Sequence, residues 1–220
     1  MPDTLHIAEL FPDCVATACR RIGPNTIDLY PQEQQLIKKA VEKRRLEFAA
    51  GRACAREALC TIGLVPMPIL QNDARAPVWP DGILGTIAHS HTWAGAAVAR
   101  VEQLAGIGLD IETIDRVNLD IGRMVLTKQE TDVHTALPDA EKKQYLALVF
   151  SAKEAVYKCL SPLSAVRIGF KDAIVRQTEG QKFEVLMSGR IADTQPACAC
   201  MTGHYFLHEG CVFTGIALGA

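Results

Sequence analysis

The feature that most constrains the fold is an order of elements that occurs twice, a long helical periodicity followed by short β-like segments. Residues 33–62, EQQLIKKAVEKRRLEFAAGRACAREALCTI, mix apolar and charged positions at helical spacing. The pattern stops at Gly63, ahead of the Pro-containing LVPMPIL. This predicts one long helix, bent near Gly51. PIL, PVW, ILGTIAHS and WAGAAVARV follow as short β-like pieces between Asn-Asp and Pro-Asp-Gly turn signals. They read as an antiparallel sheet packed on that helix. The order then recurs: LAGIGLDIE reads as a strand, TKQETDVHTAL and DAEKKQYLALVFSAKEAVYKCL as helices, and DAIVRQT, KFEVLMS, HYFLHE and CVFTGIALGA as later strands. No sequence repeat stands at a fixed period. The chain reads as α+β in two similar-sized halves, residues 1–103 and 104–220, and sites often form at such junctions.

At 220 residues the chain can bury a real core in either one large domain or two small ones. A formal net charge of −2 and a pI near 6.3 leave no global positive field to draw it to nucleic acid or to an anionic membrane. Any anion it binds must meet a local basic cluster. The N-terminal MPDTLHIAELFPDC is acidic where a signal peptide is basic, and no apolar run approaches the roughly 20 residues of a membrane span. A cytoplasmic location is expected. The eight cysteines include no CxxC pair, and without an export signal they read as free thiols rather than a disulfide scaffold or a zinc site.

Charge inside an apolar run needs a reason. In GIGLDIETIDRV, Asp110 and Glu112 stand two apart, so in a strand they project from one face roughly 6 to 7 Å apart. Such carboxylates are costly to desolvate unless paired or metal-bound, so the run reads equally as a divalent-cation clamp or as a structural ion pair or solvated strand end. In FSAKEAVYKCL, Glu154 and Lys158 are one helical turn apart. They read either as a surface pair worth a few tenths of a kcal/mol or as a third carboxylate for the same cation with lysines, Lys153 and Lys158, that neutralise phosphate. Arg45, Arg52 and Arg56 fall on one helical face with Arg44 on its flank, a stripe that usually meets only water. His89 with His91, and His204 with His208, have ligand-like spacing, but the second pair lies in a β-like stretch where residues four apart chelate poorly. No GxGxxG, P-loop or nucleophile elbow is present.

Taken together, GRACAREAL (51–59), RAPVWPDGILGTIAHS (75–90), GIGLDIE (106–112) and FSAKEAVYK (150–158) resemble the 4'-phosphopantetheinyl transferases of the Sfp and EntD class. The resemblance implies a monomer of two pseudo-symmetric α+β halves with coenzyme A bound across their junction, the first half holding its adenosine 3'-phosphate end. It implies Mg²⁺ on Asp110, Glu112 and Glu154, and phosphate contacts from Lys153, Lys158 and His89. Arg44, Arg52 and the Arg75 turn match the segments that hold the 3'-phosphate. Phe150 stands where many relatives have tryptophan.

The implied reaction moves the phosphopantetheine arm from coenzyme A to a serine of an apo acyl, peptidyl or aryl carrier protein and releases adenosine 3',5'-bisphosphate. The pathway served is siderophore, nonribosomal-peptide, polyketide or fatty-acid synthesis. Glu154 is the expected general base, with Lys153 and Lys158 beside it. Acidic carriers are expected to dock on DRVNLDIGRMVLTK through Arg116, Arg123 and Lys128 beside Met124, Val125 and Leu126. The rival readings are a non-catalytic coenzyme A-binding module and a Mg²⁺-dependent phosphohydrolase.

Overall fold

The computed structural model describes residues 4–23, 29–163, 168–188 and 198–219. Strand β1 (Ala16–Arg21) leads to helices α1 (Pro31–Leu36) and α2 (Glu42–Thr61), then to the hairpin β2 (Ile83–His89) and β3 (Trp93–Arg100). Strand β4 (Leu104–Thr113) leads to α3 (Gly122–Val125), α4 (Lys128–Ala136) and α5 (Asp139–Leu160). Strands β5 (Ala173–Thr178), β6 (Lys182–Met187), β7 (Cys200–His208) and β8 (Cys211–Gly219) complete the chain.

All pairings are antiparallel, in a three-stranded sheet ordered β1-β3-β2 and a five-stranded sheet ordered β4-β8-β7-β6-β5. The order β4-β8-β7 repeats β1-β3-β2, and in both halves a strand and its helices precede the hairpin. The second half adds β5 and β6 to that common plan, so the halves are pseudo-symmetric in topology and unequal in size. Among the described residues no helix is long and apolar enough to cross a membrane.

Three apolar clusters separate the layers. Ala50, Cys54, Ala58 and Leu59 of α2 pack on Ala94, Ala96 and Val98 of the first sheet. On the second sheet, Val212 and Ile216 meet Leu148, Ala152 and Val156 of α5. Between the sheets lie Trp93, Leu109, Ile111 and Phe213 with Ile7 and Leu10 from the N-terminal segment. Strand alternation explains how β4 serves two clusters. Leu109 and Ile111 turn toward Gly95 of β3, while Gly106 and Gly108 turn toward α5. The backbone N–H of Leu109 also donates to Thr86 Oγ1 at 3.3 Å, which ties β2 to β4 across the halves.

The single helix expected over 33–62 is two helices, with a break at residues 37–41. Its cause is Glu33, fully buried at the third position of α1. Its carboxylate accepts from the N–H groups of Tyr30 (3.0 Å) and Ile69 (2.9 Å) and from Arg56 Nη1 (3.0 Å). Reaching Arg56 on α2 requires α1 to fold back. Helix α2 runs unbroken through Gly51, where a Cβ would meet Ile87 Cγ2 at 2.8 Å. PIL and PVW form no strands and leave only the bridge Gln71↔Pro77, closed by a turn in which Arg75 takes φ 63. Strand β1, whose ATACRR has little alternation, is an element the sequence does not announce. Cys14, Cys19, Cys54, Cys60, Cys159, Cys200 and Cys211 carry free thiols.

Candidate active site at the junction of the halves

Helix α5 lies flush on β4 because Gly108 has no side chain; a Cβ there would fall 1.9 Å from the Ala155 carbonyl oxygen. Asp110 and Glu112 continue that face of β4, so they meet the Glu154 and Lys158 side of α5. Asp110 is 6% exposed. Its Oδ1 accepts from Lys158 Nζ at 2.6 Å, and Nζ also donates to the Leu109 carbonyl at 3.0 Å. Asp110 Oδ2 is buried without a partner. Burial, and then the neighbouring Asp110 and Glu154 carboxylates, push the Glu112 carboxyl up to about 7 against the opposing pull of Lys158. Glu154 is also raised, by burial first and then by Asp110. Three carboxylates thus share the ammonium of Lys158, and negative charge is in excess.

The first half brings cations toward the same place. At the end of β2, His89 Nε2 sits 2.6 Å from Arg44 Nη1. Burial holds His89 below the ordinary imidazole range; Glu47 opposes this, and Arg44 and Lys158 add to it. An arginine only donates, so His89 Nε2 is the acceptor and its proton sits on Nδ1. Lys158 and Asp110 both act on His89 electrostatically, so the two clusters adjoin across the junction. Arg52 is buried over Phe48, donates from Nε to the Ile69 carbonyl at 2.7 Å, and keeps Nη2 without a partner. Desolvation lowers its guanidinium to about 10, with Arg44 and Arg56 adding to the effect against Glu33.

Between the halves opens a cavity of about 600 Å³, within the usual range for small-molecule sites. Arg75, Trp79 and Thr86 line it from the first half, and Gly106, Tyr157 and Lys158 from the second. Lys158 therefore joins the carboxylate cluster to the cavity.

Residues 32–99 match the family model described as 4'-phosphopantetheinyl transferase N-terminal domain, and residues 106–208 that described as 4'-phosphopantetheinyl transferase superfamily. The chain is 32% identical over 224 residues to 4'-phosphopantetheinyl transferase PptT of Mycobacterium tuberculosis, across 98% of this chain and 93% of that protein. The chain belongs to the 4'-phosphopantetheinyl transferase family. The transferase is also 32% identical over 229 residues to 4'-phosphopantetheinyl transferase Npt of Nocardia iowensis, covering 96% of this chain and 99% of that one. With enterobactin synthase component D of Escherichia coli it shares 36% identity over 161 residues, 70% of this chain and 69% of that one.

Of the side chains singled out in the sequence, the transferase brings together Asp110, Glu112, Glu154, Lys158, His89 and Arg44, and sets Arg75 on the cavity wall. It does not bring Lys153 to them. Lys153 Nζ is buried and donates to Glu130 Oε2 (2.7 Å) and to the carbonyls of Val125 (2.8 Å) and Phe170 (2.9 Å). An ammonium has three protons to give, so Lys153 has none left for a phosphate and the expected phosphate role is corrected. Glu130, which the sequence does not single out, holds that lysine and also accepts from Val175 N–H at 2.7 Å.

The arginine stripe is a solvated face only at its start, where Arg44 and Arg45 are exposed, whereas Arg52 and Arg56 are both buried. In the expected docking stretch Arg116, Arg123, Met124 and Lys128 are exposed while Val125 and Leu126 are core residues. His208 packs edge-on against Trp93, 5.6 Å between ring centres.

Asp110, Glu112 and Glu154 form an all-oxygen donor set of the kind a hard divalent cation takes, and the unpartnered Oδ2 of Asp110 suits such an ion. Among the described residues no three His, Cys, Asp or Glu side chains already stand as a metal cage. Lys158 is seated on Asp110 at 2.6 Å.

Proposed function

We propose that this transferase moves the 4'-phosphopantetheine arm of coenzyme A to a serine of an apo carrier protein, with Mg²⁺ held by Asp110, Glu112 and Glu154. The observation that carries the reading is the junction cavity, with Lys158 and Arg75 on its walls and, joined to it through Lys158, three carboxyls that face a single ammonium. Coenzyme A presents a pyrophosphate and a 3'-phosphate, and a chain of net charge −2 can attract them only through concentrated local cations. The bound ion would supply Lewis-acid stabilisation of charge on the phosphate oxygens.

The residues of the chain divide the remaining work. Arg75, Arg44 and His89 bind the phosphate-bearing end of the nucleotide, and Arg52, whose buried Nη2 has no partner, adds to the positive charge there. The first half, residues 1–103, thus holds the adenosine end, and the second, 104–220, carries the chemistry. Glu154, raised above the ordinary carboxylate range, takes the serine proton. The serine oxygen bonds to the phosphorus that bears pantetheine, the bond from that phosphorus to the leaving phosphate oxygen breaks, and adenosine 3',5'-bisphosphate departs with Lys158 against its phosphate. Arg116, Arg123 and Lys128 steer an acidic carrier, with exposed Met124 and Leu119 beside them. The enzyme works as a cytoplasmic monomer in siderophore, nonribosomal-peptide, polyketide or fatty-acid synthesis, the carrier deciding which.

The test is an incubation with coenzyme A, Mg²⁺ and a panel of apo carriers, followed by mass spectrometry of each carrier. Gain of one phosphopantetheine on a carrier is the expected result and names the pathway. Hydrolysis of coenzyme A with every carrier unmodified would make the protein a phosphohydrolase, and neither change would leave a binding module.

A further inference from the structure

We propose that Lys158 is an internal cation that competes with the metal for Asp110 and passes from Asp110 to substrate phosphate as the site fills. This rests on the assignment of Asp110 as a metal ligand. The contact is a short charge-assisted bond to a nearly buried carboxylate, 2.6 Å from Nζ to Oδ1, reinforced at 3.0 Å by the Leu109 carbonyl. Asp110 Oδ2 has no partner, so the lysine is the counter-ion on which the ionised carboxylate depends. A dication and an ammonium on one carboxylate repel each other, so arrival of the first favours departure of the second.

The lysine has somewhere to go. Its side chain is 26% exposed and lines the junction cavity, so it can turn outward about its own side-chain bonds without moving α5. Lys153, at 1% exposure and with three acceptors, shows what a lysine without an exit looks like. In the cavity the released ammonium meets phosphate, which replaces the carboxylate it left. Metal and phosphate-bearing substrate then favour each other's binding through this one side chain, in addition to any direct contact between them. The same lysine offsets part of the repulsion among Asp110, Glu112 and Glu154 while no dication is bound.

The experiment measures Mn²⁺ binding alone, without coenzyme A, by the electron paramagnetic resonance of free Mn²⁺ at pH 8. It compares the parent, Lys158→Gln, Lys158→Arg and Asp110→Asn, each checked for folding by circular dichroism. Lys158→Gln is expected to bind Mn²⁺ about three- to tenfold tighter than the parent, and Lys158→Arg, which keeps the charge, within about twofold of it. Asp110→Asn is expected to bind at least about tenfold more weakly. Equal or weaker binding by Lys158→Gln, with Asp110→Asn impaired, overturns the exchange and leaves the metal assignment standing. Parent-like binding by Asp110→Asn overturns the metal assignment itself. If Lys158→Gln does not fold, Lys158→Met is read in the same way.

Discussion

In the first half, Glu33 occupies the third position of α1 and is held by Arg56 of α2; in the second, Glu130 occupies the third position of α4 and is held by Lys153 of α5. Each glutamate also accepts a backbone N–H from further along the chain, Ile69 for Glu33 and Val175 for Glu130. Glu33 and Glu130, Arg56 and Lys153, and Glu57 and Glu154 keep one common spacing in the sequence. The third pair is where the halves part. Glu57 is bridged by Arg20 of β1, whereas Glu154 meets the carboxylates of β4. The scaffold position is the same, and what sets the proposed site in the second half apart is that the strand beneath it offers acids instead of an arginine.

Substituting the third pair tests this contrast most severely. Glu154→Gln keeps size but cannot take a proton, and kcat should fall by roughly 10²- to 10⁴-fold without recovery at high Mg²⁺. Glu57→Gln should leave kcat within about twofold, since a solvent-exposed pair contributes only about 0–1 kcal/mol. Asp110→Asn should recover in part at high Mg²⁺, because the loss there is of affinity. Equal recovery of Glu154→Gln and Asp110→Asn would reduce Glu154 to a ligand.

The clasps should respond alike in both halves. Lys153→Met and Arg56→Met each strand a buried glutamate, and each should cost about 3–5 kcal/mol in urea unfolding. Lys153→Arg, which places in the second half the residue the first half uses, should lose less than half of that. A Lys153→Met enzyme that unfolds like the parent but has lost phosphate binding would return Lys153 to the active site.

A smaller effect is expected from pH. The Glu112 carboxyl is raised to about 7, so the folded, metal-free protein holds a proton there that the unfolded chain has already released. Its contribution is complete below about 4.5 and is lost as pH rises through 7, so Tm in chelator should fall across that window. Glu112→Gln should flatten the fall, and a profile identical to the parent's would place the proton elsewhere. Smallest of all, reversing Arg116 and Arg123 to Glu should raise KM for the carrier severalfold, with its salt dependence reduced and kcat unchanged.

Much of this was readable in the sequence where chemistry is local. GIGLDIE reads as a strand because its apolar alternation and its two carboxylates survive folding, and α5 reads through because 139–160 is long and periodic. Residues 33–62 misled because the periodicity records which faces are buried and not where the chain turns; the turn is dictated by Glu33 reaching Arg56, a tertiary pairing. Lys153 misled for the same reason, since Glu130 lies a whole element away. The arginine stripe read as a wet face because a helical wheel shows direction, whereas Arg52 and Arg56 are covered by α1 and the segment around Ile69. That Asp110, Glu112, Glu154 and Lys158 gather at one place was legible. That Lys158 sits on Asp110 was not, because distance between elements is absent from a one-dimensional pattern.

The closest approach of β4 to α5 is a backbone contact, Gly108 against the Ala155 carbonyl, and Lys158 ties the same two elements by its bonds to Asp110 and the Leu109 carbonyl. Glu112 and Glu154 can therefore be exchanged singly without disturbing the gauge that separates strand from helix. A methyl group at position 108 would do the opposite: it would leave every functional side chain intact and lift the whole helix away from the strand, so that the enzyme lost its activity with its chemistry complete.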